Sequence, residues 1–225
     1  MTLQAKPGKN KTTKILLVDD HPVVRDGFAE LINREPDLLV CAAAEDRSGA
    51  IRAVEENSPH LVVIDLTLKN SSGMELIKDI HARWPELLLL VVSMHNETLY
   101  AERVLRAGAR GYITKQQATR DILQAIRRVL AGGIYLNETT GAVILARLAA
   151  KPQIKEDTIS DLLTDRELQV FELTGQGFNT REISTQLRID MKTVETYRLR
   201  IREKLNLDSS SELLKLAIRW KQERV

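Results

Sequence analysis

A few polar side chains, each at the end of an apolar run, are the residues of this sequence whose types and spacing could do chemistry. Asp19 and Asp20 follow one run, Asp65 ends a second, Ser93 ends a third, and Lys115 follows a fourth. Three carboxylates brought together repel one another and need a cation. A small set of oxygen ligands suits Mg²⁺, which keeps several waters and can bridge to a phosphoryl oxygen. The lysine would add a positive charge, and the serine a hydroxyl donor, for the same phosphoryl group.

These side chains meet if the apolar runs are parallel strands of one sheet, because the carboxyl ends of such strands share the edge where ligands bind. The runs are nearly all apolar rather than alternating, as is typical of parallel strands buried on both faces, and helix-period stripes lie between them. Five strands are predicted: Ile15–Val18, Leu38–Ala43, Leu61–Leu66, Leu87–Ser93 and Gly111–Thr114. The predicted fold is an α/β doubly wound, five-stranded parallel sheet of the flavodoxin-like kind.

The pattern changes after Gly132 and Gly133, which end the last helix of the sheet domain. Residues 134–150 predict a short strand-like piece followed by a helix. The polar stretch 151–160, which contains Pro152, predicts a linker. No strand pattern follows this linker, so the remainder of the chain is predicted to be a separate all-α domain.

Capping signals divide this second domain into four helices. Thr164 and Asn179 each precede a glutamate three residues later, which is the capping-box pattern of a helix start. Asp190 is placed to cap a long helix, Met191–Leu205, and a last helix covers about Ser210–Gln222. Because the middle two helices are joined by a very short turn, the layout is a helix-turn-helix.

The long helix is locally basic although the chain as a whole is not. The 225 residues carry 33 Lys and Arg against 31 Asp and Glu, a formal net charge of +2, so a nucleic-acid surface would have to come from such clustering. Helical periodicity places Val194 and Ile201 in the core and leaves Leu199 outside among charges. An exposed leucine there suits contact with a thymine methyl group.

Cysteine usage and hydropathy limit the cellular setting. The single cysteine, Cys41, forms no internal disulfide and excludes a site built on several thiolates, which favours a reducing, cytoplasmic location. The longest apolar stretch, Leu87–Val92, is far shorter than the about 20 residues of a membrane span, so no membrane partner is expected. Residues 1–12 predict a disordered basic tail without the apolar core of a signal peptide.

Residues 13–131 resemble the receiver domain of bacterial two-component response regulators, through the acidic pair, the strand-terminal aspartate, the serine and the lysine. The resemblance implies that Asp65 is the phosphoacceptor for a sensor histidine kinase and that Ser93 and Lys115 bind the phosphoryl group. It also implies an aromatic switch residue, Tyr112. The implied ligands of Mg²⁺ are Asp19, Asp20, Asp65 and the backbone carbonyl of Thr67.

Residues 161–225 resemble the LuxR-type helix-turn-helix of the NarL/FixJ regulators. The resemblance rests on Leu163–Phe171, Gly177, Arg181–Ser184, Lys192–Tyr197 and Lys204–Leu205. It implies that Met191–Leu205 is the recognition helix in the major groove. The candidate DNA-binding residues are Lys192, Thr193, Glu195, Thr196, Arg198, Leu199, Arg200 and Lys204.

The sequence therefore predicts a phosphorylation-activated transcriptional response regulator that dimerises and binds double-stranded DNA. In this prediction residues 132–160 form a linker with a helical segment, and the receiver catalyses only its own phosphorylation and dephosphorylation. One alternative is a regulator whose receiver works without phosphorylation. Another is an aspartate-nucleophile phosphohydrolase, although such enzymes carry a second Asp at the position of Thr67. A dinucleotide-binding fold is disfavoured, since no GxGxxG follows a strand.

Overall fold

The computed structural model describes residues 12–68, 71–149 and 159–222. The tail predicted over residues 1–12 and the linker predicted over residues 151–160 thus lie almost wholly outside the described residues. The chain divides into two compact units, one ending at Ile144 and the other beginning at Leu145. The domain limits predicted at 13–131 and 161–225 stay predictions.

The first unit contains the predicted parallel sheet. Its five strands lie in the order β2-β1-β3-β6-β7, and every neighbouring pair is parallel. The strands are β1 (Thr13–Val18), β2 (Leu38–Ala44), β3 (Leu61–Ile64), β6 (Leu88–Ser93) and β7 (Gly111–Thr114). β3 is the middle strand and β1 lies beside it; Ile15–Val18 of β1 and all four residues of β3 are buried, which is why these stretches are continuously apolar.

A short antiparallel hairpin follows β3 and was not predicted from the sequence. β3 ends at Ile64, two residues earlier than the predicted strand, and β4 (Thr67–Leu68) then pairs with β5 (Ser71–Ser72). Gly73 directly after the hairpin packs closely on the end of β3. A Cβ atom at this position would lie 2.0 Å from the Asp65 carbonyl oxygen, so only glycine fits there.

Five helices cover the two faces of the sheet. They are α1 (Pro22–Asn33), α2 (Arg47–Asn57), α3 (Gly73–Arg83), α4 (Glu97–Arg106) and α5 (Lys115–Leu130). The α5 helix starts with a full capping box, in which the Thr114 hydroxyl accepts from the Gln117 N–H and the Gln117 side chain accepts from the Thr114 N–H. This cap fixes the start of α5 and therefore the position of Lys115, its first residue.

The segment after α5 returns to the sheet before the chain leaves the first unit. Tyr135 forms a parallel bridge with Gly111 of β7, and its carbonyl accepts from the Tyr112 N–H at 2.9 Å. Helix α6 (Glu138–Ala149) follows. The strand-like piece and helix predicted within residues 134–150 are confirmed.

The described residues of the second unit form helices and short connections, with no strand among them. Its helices are α7 (Ile159–Leu162), α8 (Asp165–Gly175), α9 (Thr180–Leu187), α10 (Met191–Lys204) and α11 (Ser210–Gln222). The Phe171 and Trp220 rings pack edge to face, with centroids 5.4 Å apart. A Cβ atom at Gly175 would lie 2.5 Å from the Ala217 carbonyl oxygen, so this glycine allows α8 and α11 to pack closely. No helix in the described part of the chain has both the length and the apolarity needed to cross a membrane.

Candidate functional site

The carboxyl edge of the sheet brings the three predicted aspartates together. Asp19 and Asp20 follow β1, and Asp65 follows β3, with its N–H donating to the Val18 carbonyl at 2.8 Å. All three are buried, with exposures of 6%, 4% and 4%. Potential ligand atoms of these aspartates and of His21 all lie within 4.8 Å of one another. The predicted meeting of β1 and β3 at one edge is confirmed.

Lys115 lies between two of these carboxylates. Its Nζ is 2.6 Å from Asp19 Oδ2 and 2.7 Å from Asp65 Oδ2. Burial acts to lower the pKa of Lys115, but the charges and hydrogen bonds of Asp65 and Asp19 outweigh it, so the pKa lies above its usual value. The lysine is therefore a fixed positive charge beside the predicted phosphoacceptor.

Asp65 is the most perturbed carboxyl of the site. Burial raises the pKa of Asp65 to about 6; the neighbouring charge of Asp19 acts in the same direction, while Lys115 acts to lower it. The Thr67 N–H also donates to Asp65 Oδ1 at 3.3 Å. The carboxylate is ionised at neutral pH but is poorly solvated, which suits it to accept a cation and to act as a nucleophile.

The residues at this edge fit a hard divalent cation. Three buried carboxylates offer only oxygen atoms, which Mg²⁺ prefers, and a single lysine does not balance their charge. His21 approaches the same oxygens: its Nδ1 is 2.8 Å from Asp20 Oδ1 and 3.1 Å from Asp19 Oδ1. A ring nitrogen is a poor match for Mg²⁺, which prefers oxygen ligands.

His95 connects the predicted switch residues and was not assigned a role from the sequence. The backbone N–H of His95 donates to the Ser93 hydroxyl at 3.3 Å, and its backbone carbonyl accepts from the Tyr112 hydroxyl at 2.9 Å. The imidazole Nε2 is 3.1 Å from the Thr67 hydroxyl oxygen. Ser93 and Tyr112 are both fully buried. The loop after β6 therefore links Ser93, the last residue of β6, to the side chain of Tyr112 on β7.

The second unit positions α10 through a tight turn. Arg188 ends α9 in the left-handed conformation, with φ of 50° and ψ of 47°, and Asp190 then caps α10 by accepting from the Thr193 N–H. Val194 and Ile201 point into the core. The helix-turn-helix predicted from the sequence is confirmed, and α10 begins at the predicted residue.

The opposite face of α10 carries most of the predicted DNA-binding side chains. Leu199 is 48% exposed, as expected, although it is a large apolar residue. Five further candidates on the helix are also exposed: Lys192, Glu195, Thr196, Arg200 and Lys204. Arg202, the next basic residue of the helix after Arg200, is half-buried.

Five of the candidate DNA-binding residues have partners inside the second unit. The Thr193 hydroxyl donates to Asp190 at 2.7 Å, and the Thr196 hydroxyl donates to the Lys192 carbonyl at 2.9 Å. Arg198 donates to the Thr180 hydroxyl at 2.9 Å, and Glu195 accepts from the same hydroxyl at 2.5 Å. Lys204 Nζ lies 2.6 Å from Oε2 of the buried Glu167, which also completes the capping box of α8. Burial acts to raise the pKa of Glu167, but the hydrogen bonds from Lys204 and from Thr164 outweigh it. The pKa therefore lies below its usual value, and the carboxylate is held ionised.

Comparison with known proteins assigns both units. Residues 15–127 match the family model described as the response regulator receiver domain, and residues 161–217 match that of the luxR family of bacterial regulatory proteins. The chain is 32% identical over 213 residues to the oxygen regulatory protein NreC of Staphylococcus epidermidis, covering 92% of this chain and 98% of that protein. It is 36% identical over 207 residues to the transcriptional activator protein ExaE of Pseudomonas putida, covering 91% and 95%.

Solved structures of similar proteins share the fold. A LuxR-family two-component response regulator from Aurantimonas sp. SI85-9A1 is 36% identical, with a TM-score of 0.57, and the match covers 62% of this chain and 99% of that chain. RcsB of Salmonella enterica serovar Typhimurium, solved bound to the promoter rprA with the phosphomimetic BeF₃⁻, is 24% identical. Its TM-score is 0.59, and the match covers 91% of this chain and 97% of that chain.

Proposed function

This chain belongs to the response regulators that join a receiver domain to a LuxR-type helix-turn-helix, and from that premise we propose that phosphorylation of Asp65 controls its binding to DNA. The two family matches make it a DNA-binding transcriptional response regulator. The phosphoryl donor is a sensor histidine kinase. The observation that carries the proposal is the position of Lys115, paired at once with Asp65 and Asp19 at the edge of the sheet.

The proposed reaction transfers a phosphoryl group from a histidine of the kinase to Asp65. A carboxylate oxygen of Asp65 attacks the phosphorus of a phosphohistidine, a P–O bond forms, the P–N bond breaks, and its electron pair returns to the kinase imidazole. Lys115 neutralises charge on the transferring group, and the Ser93 hydroxyl donates to one of its oxygens. Asp65 is ready for this attack at neutral pH because its pKa of about 6 leaves it mainly ionised.

Asp19, Asp20 and Asp65, with the backbone carbonyl of Thr67, would hold Mg²⁺. The ion would supply positive charge near the phosphoryl oxygens. Burial of the three carboxylates supports this assignment, because a site with an uncompensated negative charge binds a small cation strongly.

The DNA-binding residues divide by their contacts within the protein. Lys192 and Arg200 are exposed, and we assign them to phosphates. Thr196 and Leu199 face the base edges. Glu195 and Arg198 form a linked pair through Thr180, so they reach DNA together with the start of α9. Lys204 contributes mainly through its ion pair with Glu167.

Dimerisation brings two copies of α10 to two half-sites of an operator. The last helix supplies a suitable surface, because Leu214 and Ile218 lie one turn apart on α11 and are 41% and 37% exposed. Two-fold pairing through this stripe would bury both side chains.

The proposal is tested by selecting a binding sequence from a random duplex library and measuring its affinity for the full chain with and without acetyl phosphate and Mg²⁺. The donor should raise the affinity of the wild-type chain and leave that of Asp65→Asn unchanged. Asp26→Asn, which changes an exposed aspartate on α1, should respond like wild type. An equal rise in Asp65→Asn, or no rise in the wild type, would support the alternative in which the receiver works without phosphorylation.

A further inference from the structure

A single buried carboxylate holds the start of α6 against the first turn of α4. Glu97 is 4% exposed, and its Oε1 accepts from the Asn137 N–H at 2.8 Å. Asn137 is the residue before α6, where its side chain accepts from the Thr140 N–H at 2.8 Å and its carbonyl accepts from the Gly141 N–H. Glu97 therefore binds the residue that organises the whole first turn of α6.

This contact is buried at a cost. Within the described part of the chain, Glu97 Oε2 and the Thr140 hydroxyl are both buried without a hydrogen-bond partner. Burial raises the pKa of Glu97, and the hydrogen bond from Asn137 lowers it only in part. A carboxylate in such a place destabilises the fold, and a neutral residue would fill the same volume at a lower cost. The presence of Glu97 therefore points to a function.

Glu97 is also joined to the phosphorylation site by a short stretch of chain. It is four residues after Ser93, and the intervening His95 is bonded to Ser93, Thr67 and Tyr112. The segment before α6 is held on the same side, since the Tyr135 carbonyl accepts from the Tyr112 N–H. One attachment of the α6 start thus ends on β7, which carries Tyr112, and the other ends on the first residue of α4, four residues after Ser93.

Helix α6 is the covalent route out of the first unit. It begins at Glu138, and the division between the two compact units falls within it, after Ile144. Whatever changes the start of α6 therefore acts on the chain that leads to the DNA-binding unit.

We propose that Glu97 is a positioning residue whose hydrogen bond to Asn137, called here the α6 latch, is weakened when Asp65 is phosphorylated. The inference rests on the proposed function of Asp65. Ser93 moves toward the phosphoryl oxygens, His95 and Asn96 follow because they are adjacent in the chain, and the first turn of α4 carries Glu97 away from Asn137. The start of α6 is then free to rearrange.

The test is amide hydrogen exchange at Asn137 and Thr140 in the full chain, measured by NMR with and without acetyl phosphate and Mg²⁺. Four proteins are compared: wild type, Glu97→Ala, Glu97→Gln, and Glu138→Ala as the matched control. Glu138 is an exposed carboxylate in the first turn of α6, so its loss changes the helix charge but not the latch. Phosphate uptake by each protein, read from the intact mass, shows that its receiver is folded and competent.

Without the donor, exchange at Asn137 should be at least about tenfold faster in Glu97→Ala than in wild type, because the amide has lost a charge-assisted hydrogen bond. Glu97→Gln keeps a weaker acceptor and should lie between them, and Glu138→Ala should match wild type. With the donor, wild-type exchange should rise toward the Glu97→Ala value, while that variant changes little.

Two results would overturn the latch. One is equal exchange at Asn137 in unphosphorylated wild type and Glu97→Ala. The other is a wild-type chain that takes up one phosphoryl group and shows unchanged exchange at Asn137. A wild-type chain that takes up no phosphoryl group would instead overturn the proposed function and, with it, the claim that the latch responds to Asp65.

Discussion

At the scale of single residues, the receiver site lowers the stability of the folded protein, because it buries the charged groups that the proposed chemistry needs. Asp65 is buried among like charges, and Lys115 opposes them at 2.7 Å. The pKa of Asp65, at about 6, exceeds the usual aspartate value of 3.8, so the ionised form is disfavoured in the folded protein. Charged groups held in this way are typical of functional sites, because the same energy favours the binding of a cation or the formation of a neutralising bond.

The first prediction is that Asp65→Asn makes the receiver more stable without metal. At pH well below 4, the Asp65 carboxyl is neutral in both the folded and the unfolded chain. As the pH rises from 4 to 6, the carboxyl loses its proton in the unfolded chain first, so the stability of the wild type falls. Above pH 6 the carboxyl is ionised in both states, and the full destabilisation is present. At pH 7.5 in EDTA the variant should gain on the order of 1–3 kcal/mol. Thermal unfolding measures this gain.

The gain should shrink as the pH is lowered from 7.5 through 6 towards 4. Asp26→Asn serves as the control, since its aspartate is exposed and its replacement should change little at any pH. A gain that does not depend on pH, or no gain at neutral pH, would argue against a desolvated carboxylate at position 65.

At the scale of helices and strands, much of the architecture could be predicted because the signals are local. Continuous apolar runs mark the buried parallel strands, and capping boxes at Thr164 and Asn179 mark helix starts that the structure confirms. The hairpin after Asp65 could not be predicted, since strands of two residues have no periodicity. Glu97 could not be assigned either, because an acidic residue in a first helical turn is common and its partner lies 40 residues away.

Helical periodicity also gives the face of a side chain but not its partner. It placed α10 correctly, with Val194 inside and Leu199 outside. It could not show that Lys204 pairs with Glu167, 37 residues earlier, or that Arg198 and Glu195 share the Thr180 hydroxyl. These contacts depend on how α8, α9 and α10 pack, and they change which basic residues are free for DNA.

The second prediction follows from the pair between Lys204 and Glu167. Lys204→Ala should destabilise the second unit by about 1–2 kcal/mol, because a buried carboxylate loses its charged partner while the half-exposed lysine limits the effect. The pKa of Glu167 is lowered in the folded state, so this contribution is present at neutral pH and is lost as the pH falls below the usual glutamate range. Urea unfolding at pH 7 and pH 4 checks both the size and the pH dependence.

Lys215→Ala is a matched control, since Lys215 is exposed on α11. If Lys204→Ala unfolds at the same urea concentration as this control at pH 7, the ion pair contributes nothing to stability. Lys204 would then return to the set of residues assigned to DNA phosphates.

The third prediction separates phosphate contacts from internal contacts on α10. Lys192→Ala should lower affinity for every duplex and reduce the slope of log affinity against log salt by about 0.9, without changing thermal stability. Leu199→Ala should instead change preference at one base pair and keep the salt slope. Fluorescence anisotropy over a salt series distinguishes them, and an unchanged slope for Lys192→Ala would remove that lysine from the DNA contact set.

At the scale of the whole molecule, the two units carry separate tasks that one covalent segment must connect. The proposed phosphoryl chemistry lies at the edge of a parallel sheet, and the proposed DNA contacts lie on a helix whose exposed face is set by packing within another unit. Neither site contains residues of the other in the described part of the chain. Control must therefore pass through a change in conformation or assembly that the receiver initiates.

All of this depends on one claim, which is that Asp65 accepts the phosphoryl group. Intact mass spectrometry after incubation with acetyl phosphate and Mg²⁺ tests it directly, using wild type, Asp65→Asn and the exposed-site control Asp26→Asn. Wild type and Asp26→Asn should each gain the mass of one phosphoryl group, and EDTA should abolish the gain. Asp65→Asn should gain nothing, and equal labelling of that variant would contradict the account.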